Sequence, residues 1–130
     1  MNTVVRIPAP GMYVFGFNSD DGFKTTVGND AADSVYLGGF NGGRGASTTP
    51  FNVAFEAAGD YAMRSIWYEG GGGANLEWFT ISPNKALLND TANGGLVTFA
   101  TMPSLPAKVT GVTPSSGASG VSPQSNITVT

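Results

Sequence analysis

The chain has no cysteine and no histidine. Without cysteine there is no disulfide, no zinc–thiolate site and no thiol nucleophile. That absence does not argue against export, since a β domain can be stable without disulfides. Without histidine the commonest general base and transition-metal ligand is missing, and a Ser–His–Asp triad cannot form within the chain. The remaining ligands are carboxylates, amides and carbonyls, which suit calcium or magnesium. Charge is also scarce: 12% of the 130 residues are charged, about half the usual share. Six Lys and Arg stand against nine Asp and Glu, for a net charge of −3. The six cations are scattered, so no basic stripe offers itself to phosphates and nucleic acid is excluded as a partner. No apolar run approaches the roughly 20 residues of a membrane helix, so no membrane insertion is expected. Met1 is followed by strand-like Thr3-Val4-Val5-Arg6-Ile7 and not by a basic and then an apolar leader. The chain is therefore expected to be a segment of something longer.

What is abundant is glycine, 19 residues, with 8 prolines and 41% hydrophobic residues. The glycines punctuate short apolar runs of period two, the pattern of strands joined by tight turns. Tyr13, Phe15 and Phe17 alternate along 12–17. Phe23, Thr25 and Val27 alternate against Lys24 and Thr26, and Phe51, Val53 and Phe55 against Asn52, Ala54 and Glu56. Over 60–69, Tyr61, Met63, Ser65 and Trp67 share one face, and Ala62, Arg64, Ile66 and Tyr68 the other. Further strands are predicted over 74–81 and 96–101. Turn signals include Asp21-Gly22, Gly38-Gly39, Asn41-Gly42-Gly43, Gly70 to Gly73 and Asn93-Gly94-Gly95. No segment has a helical period. The expectation is an all-β antiparallel sandwich or barrel.

Composition changes after Met102, where Pro, Ser, Thr and Gly dominate. The segment Val109-Thr110-Gly111-Val112-Thr113-Pro114, then Gly117-Ala118-Ser119-Gly120-Val121, then Asn126-Ile127-Thr128-Val129-Thr130 resembles the opening of a bacterial immunoglobulin-like domain. Upstream, Ser19-Asp20-Asp21-Gly22 follows an aromatic strand. Later, Gly59, Tyr61, Met63, Arg64, Tyr68 and Glu69 run into Gly70 to Gly73, then Leu76 and Trp78. These two motifs, in this order, resemble the protective-antigen-type domain over roughly residues 10–100. The resemblance implies a jelly-roll-like β-sandwich over 1–101, a linker over 102–107, and an incomplete immunoglobulin-like domain over 108–130.

In sugar-binding members of that family, two consecutive aspartates joined by a cis peptide hold a calcium ion, and the ion holds sugar hydroxyls. Asp20 and Asp21 match the pair. The resemblance thus implies metal ligands Asp20, Asp21 and Glu69, and ligand contacts from Tyr68, Gly70, Gly71, Gly72 and Asn75. Two carboxylates and nearby carbonyls can supply most of the six to eight oxygens calcium takes. From the residues alone, Asp-Asp-Gly is equally a turn in which Asp bonds its own backbone, and four glycines are equally a tight connection. Trp67 and Trp78 read as core, Glu77 as a solvated residue, and Arg64 as the partner of a nearby carboxylate. The acidic stretch 29–33 lacks an EF-hand pattern and reads as a solvated turn.

The function expected is a non-catalytic carbohydrate-binding or adhesion module of a secreted or cell-surface protein, with a glycan or cell-surface polysaccharide as partner and calcium as cofactor. The alternative is a structural spacer or self-assembly domain of a bacterial surface protein or filament. Catalysis is disfavoured because adjacent Asp20 and Asp21 are poorly placed for the opposed roles of a glycosidase pair.

Overall fold

The computed structural model describes residues 1–28, 30 and 32–100, together with the backbone of 112–113 and 127–129. The chain is all-β and contains no α-helix among the described residues; one 3-10 turn covers Thr91–Asn93. The strands are β1 (Asn2–Ile7), β2 (Gly11–Asp20), β3 (Gly22–Val27), β4 (Val35–Phe40), β5 (Ser47–Phe55), β6 (Gly59–Tyr68), β7 (Asn75–Ser82), β8 (Ala86–Leu87), β9 (Thr98–Phe99), β10 (Val112–Thr113) and β11 (Ile127–Val129). They form two sheets packed face to face, in the orders β4-β3-β6-β1-β9 and β10-β11-β5-β2-β7-β8. The pairings are antiparallel except that β11 runs parallel to β5. The immunoglobulin-like reading of 108–130 and the linker at 102–107 lie outside the described residues, apart from the backbone pairing of β10 and β11.

The period-two runs place their apolar halves inward. Tyr13, Phe15, Phe17, Phe51, Val53, Phe55 and Trp78 from one sheet meet Val5, Ile7, Phe23, Val27, Leu37, Tyr61 and Met63 from the other. Phe17 and Phe23 stack across the sheets, with centroids 4.2 Å apart and planes 5° from parallel. Phe55 and Tyr61 meet at 4.7 Å where β5 crosses to β6. Two tyrosines also brace crossings between the sheets. Tyr13 Oη donates to the carbonyl of Ala9 (2.9 Å), and Tyr61 Oη to that of Ala57 (2.8 Å). Each is the tyrosine-corner arrangement, a buried ring whose hydroxyl satisfies a carbonyl just upstream. A buried hydroxyl pair, Thr25 Oγ1 and Ser65 Oγ at 2.7 Å, satisfies itself between β3 and β6.

Two expectations are corrected. Gly38 and Gly39 are not a turn; they lie inside β4. A Cβ at Gly38 would sit 2.5 Å from the Phe51 ring, and one at Gly39 would sit 2.7 Å from the carbonyl oxygen of Phe23. The glycines leave room for close neighbours and do not bend the chain. The strand expected over 96–101 shrinks to Thr98–Phe99, while Leu96 ahead of it is buried in the core.

The alternation of crossings fixes which loops meet. β1 to β2, β3 to β4 and β5 to β6 connect at one end of the sandwich. β2 to β3 at Asp20-Asp21, β4 to β5 through 41–46, and β6 to β7 through 69–74 connect at the other. At the first end, Arg6 on β1 grips Asp60 on β6, its register partner, with two bonds of 2.8 and 2.9 Å. The Arg6 hydrogen bonds lower the Asp60 carboxyl, outweighing the burial that raises it. A depressed folded-state value means the contribution is complete above the unfolded value of about 3.9 and fades as pH falls through the folded one. Asp60→Asn is therefore expected to lower the melting temperature at neutral pH and to shrink its fall on acidification below about pH 4. Melting curves followed by circular dichroism test this, and an unchanged acid slope would contradict it.

Candidate metal centre

The second end of the sandwich carries the site. β2 ends at Asp20, and β3 begins at Gly22 in the opposite sheet. The chain must therefore cross between sheets within Asp20-Asp21, whose peptide bond is cis. Beneath the crossing, the Phe17–Phe23 stack fills the space between the sheets. Asp21 is buried, Asp20 half-buried and Glu69 exposed. One carboxylate oxygen from each lies within 4.8 Å of the others.

Asp21 is the best anchored of the three. Its Oδ1 accepts from the backbone N–H of Arg44 (2.7 Å), and its Oδ2 from that of Gly70 (2.8 Å). Its carboxylate thus ties the 41–46 and 69–74 loops to the crossing. These N–H groups, Arg44 first and Gly70 second, hold the Asp21 carboxyl below its ordinary range, against the burial that pushes it up. Each carboxylate oxygen keeps a further lone pair. Asp20 accepts no side-chain hydrogen bond among the described residues, while its main-chain carbonyl accepts from Trp67 Nε1 (3.0 Å). Glu69 Oε1 accepts from the N–H of Gly71 (2.6 Å).

The remaining expected residues divide. Gly70 belongs to the site through its N–H, and a Cβ there would come within 3.0 Å of Asp21 Oδ2. Gly71 holds Glu69, and both Gly71 and Gly72 have positive φ, 136° and 105°. That conformation is open to glycine and costly to other residues. Gly73, absent from the expected set, is as close as Gly70: a Cβ there would be 3.1 Å from Asp20 Oδ2. Asn75 is the register partner of Asp20 across β2 and β7, and its amide donates to Asn18 Oδ1 (2.7 Å), leaving its own carbonyl oxygen for a ligand. Tyr68 lies on the solvent face of the other sheet, where its hydroxyl accepts from the N–H of Gly42 (2.6 Å). It therefore holds the 41–46 loop.

Two side-chain readings from the sequence change here, and one residue was not anticipated. Trp78 is core, as expected, but Trp67 is half-buried at the strand's end, where its indole caps the Asp20 carbonyl. Arg64 is exposed and makes no ion pair among the described residues. Arg44 was not anticipated at all, and it is the cation that fastens the site. Its Nε donates to the Ser19 carbonyl (3.1 Å), one terminal nitrogen to Ser19 Oγ (2.7 Å) and the other to Thr49 Oγ1 (2.9 Å). The guanidinium also lies 4.2 Å over the Phe40 ring. The one available signal was an arginine set among Gly42, Gly43 and Gly45 in a chain with six cations. The acidic stretch near 30 behaves as a turn: Asp30 Oδ1 accepts from the N–H groups of Ala32 and Asp33.

Chemically, the cluster is an all-oxygen donor set with no ion-paired cation; the only ion pair among the described residues is Arg6–Asp60. Such a set fits a hard divalent ion such as calcium. Asp20, Asp21 and Glu69 would hold it, and the ion would supply charge neutralisation and open coordination positions. Arg44→Met keeps the stem over Phe40 and deletes the hydrogen bonds to Ser19 and Thr49. It is expected to cost about 2 kcal/mol, read as a lower urea midpoint. A midpoint equal to that of the parent would show that the 41–46 loop is held without the guanidinium.

Compared with known proteins, the chain matches no family model, no curated protein and no solved structure.

Proposed function

We propose that this chain is a non-catalytic carbohydrate-binding or adhesion module, calcium-dependent through Asp20 and Asp21, acting on a secreted or cell-surface protein. The observation that carries the proposal is the convergence of Asp20, Asp21 and Glu69 within 4.8 Å at one end of the sandwich. Three carboxylates this close repel one another unless a cation lies among them. Calcium takes six to eight oxygens, more than these side chains provide, so vicinal hydroxyls of a sugar can complete its shell. The glycine loop 70–73 adds little side-chain bulk, which leaves the ion's outer face accessible. Asn75, opposite Asp20, is the polar side chain best placed to touch such a ligand. The likeness of the Ser19–Gly22 and Gly59–Trp78 motifs to the protective-antigen-type domain supports the same reading.

The experiment is a glycan array probed with the purified chain in calcium and again in chelator. Binding is expected in calcium and lost in chelator. Asp20→Asn is the informative variant, because its carboxylate accepts no hydrogen bond among the described residues. It is expected to weaken the array signal by roughly tenfold, the loss of one charged ligand. Binding to an uncharged glycan that persists in chelator contradicts the mechanism. A folded chain that binds no glycan in either condition returns the function to the spacer or self-assembly reading.

A further inference from the structure

We propose that the solvent face of the β4-β3-β6-β1 sheet is a second ligand site, which takes a polysaccharide chain bearing anionic groups. Directly opposed residues of antiparallel strands share a face. The register therefore sets Tyr36, Thr26, Arg64 and Asn2 in one row across four strands, with Lys24 beside Ile66 in the next. Phe23, Thr25 and Val27 point the other way, into the core. Lys24 and Arg64 are diagonal neighbours on the outer face, and both are exposed. Neither makes an ion pair or a hydrogen bond among the described residues. Arg6, by contrast, is committed to Asp60, and Arg44 to Ser19 and Thr49. Asp30 borders the far end, where its Oδ1 accepts from the N–H groups of its own turn and its charge offsets part of that of the two cations. Two unpaired cations side by side, in a chain of six cations and net charge −3, make this face complementary to an anion.

The surface is shaped as well as charged. A depression of about 400 Å³ is bordered by Asn2, Lys24, Arg64 and Ile66. A second, of about 300 Å³, shares Lys24 and Ile66 and extends to Tyr36 and Tyr68. The two depressions adjoin at Lys24 and Ile66. Tyr36 is 51% exposed and Tyr68 43%. The Tyr68 ring covers Gly22, and the Tyr36 hydroxyl lies 3.3 Å from where a Cβ of Gly39 would be. Tyr68 is further fixed by its bonds to Gly42 and Asn41. A ring laid over a glycine, as Tyr68 is over Gly22, presents a face on which a sugar ring can stack. Stacking platforms interleaved with point charges suit a chain of rings that each carry a carboxylate or sulfate. An acidic peptide supplies the charge without the rings. This face is opposite in charge to the Asp20–Asp21–Glu69 cluster and needs no metal, so it stands apart from the calcium reading.

The test measures binding of the full chain in chelator, where the calcium reading predicts nothing, to polygalacturonate, dextran sulfate, neutral dextran and polyglutamate. Binding to polygalacturonate or dextran sulfate is expected, and the tighter of the two identifies the anionic group. It should weaken with added salt, and neutral dextran should not bind. The double variant Lys24→Ala, Arg64→Ala is expected to weaken binding by about tenfold or more, and Tyr36→Ala by about fivefold. Lys24→Arg, which keeps the charge, should retain it. All these positions are exposed, and circular dichroism confirms the fold of each variant. The proposal is overturned if neither acidic polysaccharide binds, if the double variant binds as tightly as the parent, or if polyglutamate binds as well as the polysaccharides.

Discussion

Both oxygens of the Asp21 carboxylate are bonded to main-chain N–H groups of other loops, Arg44 on one side and Gly70 on the other. Three crossings between the sheets end at this one group: its own, the 41–46 loop and the 69–74 loop. Neutral turns would leave those N–H donors to water, whereas a buried carboxylate satisfies both and holds the loops in register with each other. The arrangement concentrates negative charge beside Asp20 and Glu69, and that charge has no ion-paired cation nearby. A single interaction therefore organises the end of the sandwich and creates its electrostatic demand for a cation.

The rigid part beneath is aromatic. Phe17 on Phe23 and Phe55 on Tyr61 close the two sheets at opposite ends of the core, and the two tyrosine corners fix the crossings at the far end. Because the core sets the sheets, the near-end loops can be rich in glycine and still be positioned, each by one or two hydrogen bonds to side chains. Arg44 and Tyr68 do this for 41–46, and Glu69 for its own loop. The outer sheet face uses glycine differently. There Gly22 makes room for the Tyr68 ring.

Much of this was legible in the residues, for a specific reason. Period-two runs such as Phe51, Val53 and Phe55 are buried on one side only, so the pattern of the sequence and the burial of the structure coincide. β4 escaped notice because Gly38-Gly39 has the composition of a turn. The space above those glycines is taken by Phe51 and by the β3 backbone, which no local pattern reveals. Asp20, Asp21 and Glu69 were legible as motif residues. Arg44 was not, because its loop looks like any glycine turn and its main partner, Ser19, is 25 residues away. Trp67 was assigned to the core by its period, correctly as to face. The strand there extends past the core's edge, so the indole ends at the Asp20 carbonyl.

The central claim is that the carboxylate cluster held by Asp21 binds calcium. Backbone amide NMR of the chain, titrated with calcium in the absence of any sugar, tests it most directly. Calcium binding at the cluster predicts saturable shifts concentrated at the amides of Arg44, Gly70 and Gly71, with a dissociation constant of about 10⁻⁴ to 10⁻³ M, the range of extracellular calcium modules. Amides of Arg44, Gly70 and Gly71 that stay unmoved through the titration would contradict it.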